Sequence, residues 1–330
     1  MLTVNCNYQT SFTHTYKKQC TSPQIKPIKY QEDDDTLDVH TIEYHINQAE
    51  KQTGYQIFTE ILLGEGATSK VYKGFNCKTK KYVAVKVLDH TESTNSSCLE
   101  EFEILNSLDH DNIIKVYSTF KTDQYTFFFM EYLKKELLSL LLEKEFFTEK
   151  ETINITKQLL SAVQYLHSKN IVHRDLKLEN MLVQEMKDGS YSIKLIDFGQ
   201  AKYFEENEVM TKICGSLFYL PPEIMQRSYN YKCDMWSLGV IVYSLLTGHF
   251  PFDSENDEEI YEKIAFSKVQ FSKMDKKHIS KTGQHFVKKL LQRKVYKRLD
   301  SAEALAQKWL KKWSYTILKT TRCLTEDIIF

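Results

Sequence analysis

Four polar side chains in this chain of 330 residues could share one piece of chemistry. Asp175, Lys177 and Asn180 fall in the string H-R-D-L-K-L-E-N at His173–Asn180, and Asp197 heads D-F-G at Asp197–Gly199. A carboxylate in a short loop can accept the proton of an attacking hydroxyl. A neighbouring lysine can neutralise charge on a phosphate, and an amide oxygen with a second carboxylate can ligate a hard cation. That is one half of a phosphoryl-transfer site, and the other half must seat the phosphates. G-E-G-A-T-S-K-V at Gly64–Val71 offers a turn in which Gly64 and Gly66 let the backbone come close to phosphate without a clashing side chain. Lys86, in V-A-V-K at Val83–Lys86, offers a cation. A glycine turn alone is weak evidence, because turns need glycine anyway. Here two strand-like segments flank it and a lysine-bearing strand follows.

These residues need elements to hold them. From Tyr55 the pattern predicts short strands at Ile57–Leu63, Ser69–Phe75, Tyr82–Leu88, Ile113–Phe120 and Tyr125–Tyr132, with Val83, Val85 and Val87 on one face. A helix over residues 98–108 interrupts them, carrying Leu99, Phe102, Leu105 and Leu108 on one stripe. A lysine held inward needs a carboxylate partner, and Glu100, Glu101 and Glu103 on that helix are the candidates. Relative to Glu101, Glu103 is offset by two residues and faces away, and Glu100 is turned by about 100° around the axis. After the strands the helical period dominates, at Glu136–Leu142, Thr148–Ser168, Asp234–Thr247, Asp257–Ser267, Gly283–Gln292 and Ala302–Trp313. This order predicts an α+β fold in two lobes, a small β-rich one over 56–133 and a large helical one over 134–313. Residues 1–55, with a basic stretch from Lys17 to Lys29 and the acidic cluster Glu32 to Asp35, read as a disordered extension. Residues 314–330 read as a short tail.

Composition narrows the class. Basic and acidic residues balance at 44 each, which argues against nucleic-acid or membrane-surface partners. Only 5 of the 44 basic residues are arginines, so each arginine carries information. Seven cysteines show no C-x-x-C spacing, which points away from zinc or a redox dithiol and towards a reducing, intracellular, cytoplasmic setting. No secretory h-region and no run of about 18 apolar residues occurs, and Leu2 excludes N-myristoylation.

The motifs, in this order, resemble a eukaryotic protein kinase of serine/threonine type, over residues 56–313. H-R-D-L-K-L-E-N, C-G-S at Cys214–Ser216 and D-M-W-S-L-G at Asp234–Gly239 look most like the calcium/calmodulin-dependent and energy-sensing group. The resemblance implies ATP and Mg²⁺, with Asp175 as catalytic base, Lys177 on the γ-phosphate, and Asn180 and Asp197 on the metal. It puts Lys86 on the α/β-phosphates with Glu101 as its partner. It lines the adenine pocket with Leu63, Val71, Ala84, Met130, Glu131, Leu133 and Leu182. A lysine at 177 is the serine/threonine pattern. Ser216 would help dock the acceptor residue, Glu223 would pair with Arg298, and Asp234 would anchor the catalytic loop. A pseudokinase that only binds nucleotide is the rival reading. It would be favoured by loss of Lys86, Asp175 or Asp197, and all three are present.

The chain departs from the family pattern in places. Ser69 replaces the third glycine of the turn, Pro221 replaces the alanine of A-P-E, and Lys134-Lys135-Glu136 lacks the usual glycines after the hinge. Glu179 would favour protein substrates with a basic residue before the acceptor. Arg174 is the cation that relatives neutralise with a phosphothreonine. Here that position is Lys212, Thr211 is one residue out of register, and Glu205, Glu206 and Glu208 offer standing negative charge. Trp309, Trp313 and Leu318, interspersed with Lys308, Lys311, Lys312, Lys319 and Arg322, suggest a calmodulin-like partner for the tail, against the alternative that they form a last helix on the large lobe.

Overall fold

The computed structural model describes residues 41–66, 69–90 and 95–311, and these fall into two compact units that part between Leu133 and Lys134. Asp111–Ile113 belong with the large unit and Ile114–Leu133 with the small one.

The small unit contains α1 (Ile42–Thr53), β1 (Tyr55–Glu65), β2 (Ser69–Asn76), β3 (Lys81–Asp89), α2 (Asn95–Ser107), β4 (Val116–Lys121) and β5 (Tyr125–Glu131). Its sheet is antiparallel in the order β1-β2-β3-β5-β4. Strand alternation divides its side chains into two sets. Tyr72, Val83, Val85, Val87, Phe127 and Phe129 enter one core cluster with Ile46 and Ala49 of α1. The alternate positions put Val71 opposite Lys86, Ala84 opposite Met130, and Gly64 opposite Val71, all on the other face.

α1 corrects the expectation of disorder through residue 55. Thr41 caps it by accepting the Tyr44 amide, and Gly54 ends it in the left-handed region at φ 74°. Its apolar residues are few, and only Ile46 and Ala49 with His45 are buried, so the stripe is too short to register as a helical period. It is held by the sheet it covers. Residues 1–40 lie outside the described residues. The strand predicted from Ile113 begins only at Val116, because Ile113 bridges to Leu195 in the large unit.

The large unit runs through β6 (Lys135–Glu136), α3 (Leu137–Lys144), α4 (Glu149–Ser168), β7 (Ile171–Val172), β8 (Met181–Glu185), β9 (Tyr191–Leu195) and β10 (Lys202–Tyr203). It continues with α5 (Pro222–Met225), α6 (Cys233–Thr247), α7 (Asp257–Phe266), α8 (Asp275–His278), α9 (Lys281–Leu290), α10 (Ser301–Leu305) and α11 (Lys308–Lys311). α4 starts in a capping box between Thr148 and Glu151. α6 is apolar on every side and is buried from Cys233 to Leu246, which makes it the axis of this unit. The single helix predicted over Ala302–Trp313 is two short ones, α10 and α11. No helix among the described residues is long and apolar enough to cross a membrane.

Candidate active site

The catalytic loop connects β7 to β8 and is held from below by α6. Asp234, at the start of α6, accepts the backbone amides of His173 (3.0 Å) and Arg174 (2.9 Å) and lies 2.9 Å from His167 Nε2. Burial pushes the Asp234 carboxyl up, but the His167 hydrogen bond, the nearby imidazoles and the His173 amide outweigh it and hold it below its ordinary value. Burial keeps His173 below its usual range, against the pull of Asp234, Asp175 and Asp197. Its ring meets Phe198 edge-on at 4.9 Å, so the phenylalanine of D-F-G is seated on the histidine of H-R-D.

Two residues here adopt the left-handed region without being glycine, Arg174 at φ 66° and Asp197 at φ 60°. Such conformations persist only where neighbours over-determine them. The Arg174 amide is tied to Asp234 and its Nε donates to the Gln200 carbonyl at 2.7 Å. Asp197 follows Ile196, whose amide donates to the Asn180 carbonyl at 2.9 Å. Gly215, at φ 101°, is required in turn by Arg174: a Cβ there would stand 2.7 Å from the Arg174 carbonyl oxygen.

Three side chains then form a ring. Asp175 and Lys177 pair at 2.9 Å, Lys177 Nζ donates to Ser216 Oγ at 3.0 Å, and Ser216 Oγ donates to Asp175 Oδ1 at 3.1 Å. Asn180 Nδ2 donates to the carbonyl (3.0 Å) and carboxylate (3.1 Å) of Asp175, which turns its amide oxygen away from Asp175. Burial draws Lys177 down, but Asp175 beside it more than reverses this and holds the ammonium above its ordinary value. Tyr219 was not singled out by sequence reasoning. Its hydroxyl donates to Glu179 at 3.1 Å and receives the Leu178 amide at 3.4 Å, and its carbonyl accepts from Ser237 of α6. A tyrosine in L-F-Y-L carries no signal of its own, and only the return of the chain past the loop reveals its role. Burial raises the Glu179 carboxyl, opposed by its own amide, Lys177 and Tyr219.

In the small unit Lys86 Nζ meets Glu101 Oε1 at 2.5 Å with both side chains buried. Glu103 is exposed, as the helical offset requires. A Cβ on Gly64 would meet nothing within 4 Å, so this chain's own packing leaves room for a side chain there. The Gly66 amide closes the turn on the Ser69 carbonyl at 2.8 Å. Val71 and Ala84 are half-buried, Met130 is buried and Leu63 is exposed. The Glu131 amide is taken by the Lys115 carbonyl, and Leu133 is the last residue of this unit. Leu182 lies on β8 of the large unit, opposite Glu136.

Glu223 and Arg298 form a buried two-point pair, with Nη1–Oε1 at 2.5 Å and Nη2–Oε2 at 2.9 Å. Arg298 also donates to the carbonyls of Gln292 and Lys232 and stacks 5.1 Å from the Trp236 ring centroid. Thr211 and Lys212 are exposed. The Lys212 carbonyl accepts the Tyr229 hydroxyl at 2.6 Å, and Glu208 pairs with Lys202 at 2.7 Å. That hydrogen bond, the Glu205 amide and the more distant charge of Arg174 hold Glu208 below its ordinary value. Trp309 corrects the tail expectation at its first position. It is buried, packs 4.8 Å from Phe286 and donates to Glu149 at 2.8 Å, so it belongs to the fold. Trp313, Leu318 and the basic residues from Lys312 onward lie outside the described residues. Among the described residues no cluster of three or more His, Cys, Asp or Glu could hold a metal ion.

The family description "Protein kinase domain" matches residues 58–310. The chain is 38% identical over 254 residues to myosin light chain kinase A of Dictyostelium discoideum, covering 76% of this chain and 86% of that protein. It is 34% identical over 255 residues to calcium-dependent protein kinase 4 of Plasmodium falciparum, covering 76% of this chain and 48% of the relative. It is 34% identical over 270 residues to calcium-dependent protein kinase 5 of Plasmodium berghei, covering 81% and 48%. The chain therefore spans about half the length of the calcium-dependent relatives.

Proposed function

Because the chain belongs to the protein kinase family, we propose that it transfers the γ-phosphoryl group of ATP to serine or threonine hydroxyls of proteins. One observation carries most of this reading. The Ser216 hydroxyl already donates to Asp175 while Lys177 holds both groups. An alcohol is thus seated on the carboxylate that would accept the substrate's proton, beside an ammonium that would neutralise phosphate charge. Lys86, fixed by Glu101, would bind the α/β-phosphates, and the turn at Gly64 and Gly66 would cover them.

The donor set fits Mg²⁺. Asn180 offers an amide oxygen, since its nitrogen faces Asp175, and Asp197 offers a carboxylate on a backbone linked to Asn180. Two hard oxygen donors suit a cation that completes its shell with water and substrate phosphates. When bound, the ion would neutralise charge developing on those phosphates. Glu179, steered by Tyr219, would favour substrates with a lysine or arginine shortly before the acceptor.

The test is a degenerate peptide array with labelled ATP and Mg²⁺, run for the wild type and for Asp197→Asn. The expected result is label on serine and threonine peptides, weighted to basic ones, and none above background for the variant at an unchanged melting temperature. Robust turnover by Asp197→Asn, or label confined to tyrosine, would overturn the assignment.

A further inference from the structure

A cavity of about 900 Å³ opens on the large unit and shares no lining residue with the loop at 173–180. Its walls come from the C-terminal end of α4, the segment after β10, the approach to α6 and the start of α10. Its volume lies within the roughly 300–1,000 Å³ typical of ligand sites.

The wall chemistry is one-sided. Glu205, Glu206, Glu208 and Asp300 line the cavity, and among the described residues no lysine or arginine does. Glu208 is paired with Lys202 and Asp300 caps α10, whereas Glu205 and Glu206 stand exposed at the rim. Among the aromatic residues, Phe204 and Tyr231 stack at 5.2 Å and 12°, and His167 meets Tyr231 edge-on at 5.0 Å. The His167 side chain is 8% exposed, and its Nδ1 is a buried atom with no hydrogen-bond partner. Carboxylates and aromatic side chains in one wall favour the same ligand group, a cation whose polar hydrogens are all donors.

We propose that this cavity binds a lysine- or arginine-bearing peptide segment, with the cationic head beside Tyr231 and Phe204 and within reach of Glu205 and Glu206. A peptide fits better than a free amine because Val209, 60% exposed, adds an apolar contact beside the acidic rim for a neighbouring side chain. The site adjoins the catalytic loop through one residue. His167 in the cavity wall and the amides of His173 and Arg174 all bond to Asp234. The segment 204–209 in the same wall leads directly to Thr211. A bound segment would therefore bear on both the loop anchor and the activation segment.

The test uses the full chain and a fluorescein-labelled hexapeptide of alternating lysine and leucine, followed by anisotropy at fixed ionic strength, with amide hydrogen exchange as a map. Saturable binding is expected, with slowed exchange at 204–209 and 228–231. Affinity should fall at least tenfold in Glu205→Gln/Glu206→Gln and in Val209→Lys, an exposed change that leaves the core untouched. Tyr231→Leu should weaken binding similarly, with its fold checked by circular dichroism. The proposal fails if no saturable binding occurs, or if binding survives Val209→Lys. It also fails if binding is lost in Glu179→Gln instead, which would place the peptide in the substrate groove. Spermine displacing the peptide with equal potency per charge would overturn the peptide as the preferred occupant.

Discussion

Asp234 has almost no solvent exposure, yet its carboxylate meets two backbone amides and an imidazole. Asn at that position keeps the volume but presents an NH₂ group where one of those donors now points. Leaving a buried amide unsatisfied costs about 1–3 kcal/mol. Asp234→Asn should lower the melting temperature and reduce kcat, because the Arg174 backbone loses the bond that helps hold its left-handed φ. Thermal unfolding and steady-state kinetics on one preparation check both. The two shifted carboxylates of this region also act on stability with opposite sign. The Asp234 carboxyl is held below its ordinary value, so its contribution is present above the ordinary carboxylate range and is lost as pH falls through the depressed folded value. Glu179 is raised, so its contribution is present below the ordinary range and is lost as pH rises through the raised value. Glu179→Gln should therefore gain stability relative to wild type as pH rises from the ordinary carboxylate range through the raised value, read as the shift in guanidinium midpoint. The same variant should lose the preference for basic peptides.

Elements in this protein are tied by a few strong points. Glu223 on α5 and Arg298 just before α10 form the clearest one, fully buried and two-pronged. Removing one member strands a buried charge and costs about 3–5 kcal/mol. Glu223→Gln should show that loss in equilibrium denaturation, and Arg298→Lys should recover only part of the pair, because an ammonium lacks the planar fork and the contact with Trp236. α1 is a different kind of tie. It contributes Ile46 and Ala49 to the core of the small sheet, so it stabilises the sheet that carries Lys86 on its other face. Ile46→Ala should cost about 2–5 kcal/mol, measured by chemical denaturation.

At the scale of the whole molecule, the proposed activity turns on the negative charge that reaches Arg174. Arg174 is already engaged by the Gln200 carbonyl, and Glu208 lies near enough for its charge to be felt. A carboxylate carries about −1 against roughly −1.5 to −2 for a phosphate, but it needs no upstream kinase. Thr211 is exposed. Thr211→Ala and phosphatase-treated wild type should both retain most of the peptide phosphorylation rate. If both lose nearly all of it, phosphorylated Thr211 is the switch and the standing-charge account is wrong.

The amino-acid sequence by itself determined the family, because the motifs stand in the order that protein kinases share. Asp175, Lys177 and Asn180 are close in the chain, so they could be nominated together from the motif, with Asp197 nominated from the one that follows. Glu101 could be chosen over Glu100 and Glu103 because its register, nine residues before His110, matches the kinase pattern, and the fixed turn per residue points the other two elsewhere. α4 and α6 were legible because long periodic or wholly apolar runs leave few alternatives. Only the tertiary structure decided matters that depend on residues far apart. α1 has too few apolar positions to be read locally, and it exists as part of the sheet it covers. Tyr219 orients Glu179 from 40 residues away, with no motif to mark it. Trp309, read as a candidate anchor for a partner, is buried against Phe286 and Glu149 of helices that precede it. In each case the deciding energy comes from contacts made by chain return, which local pattern does not encode.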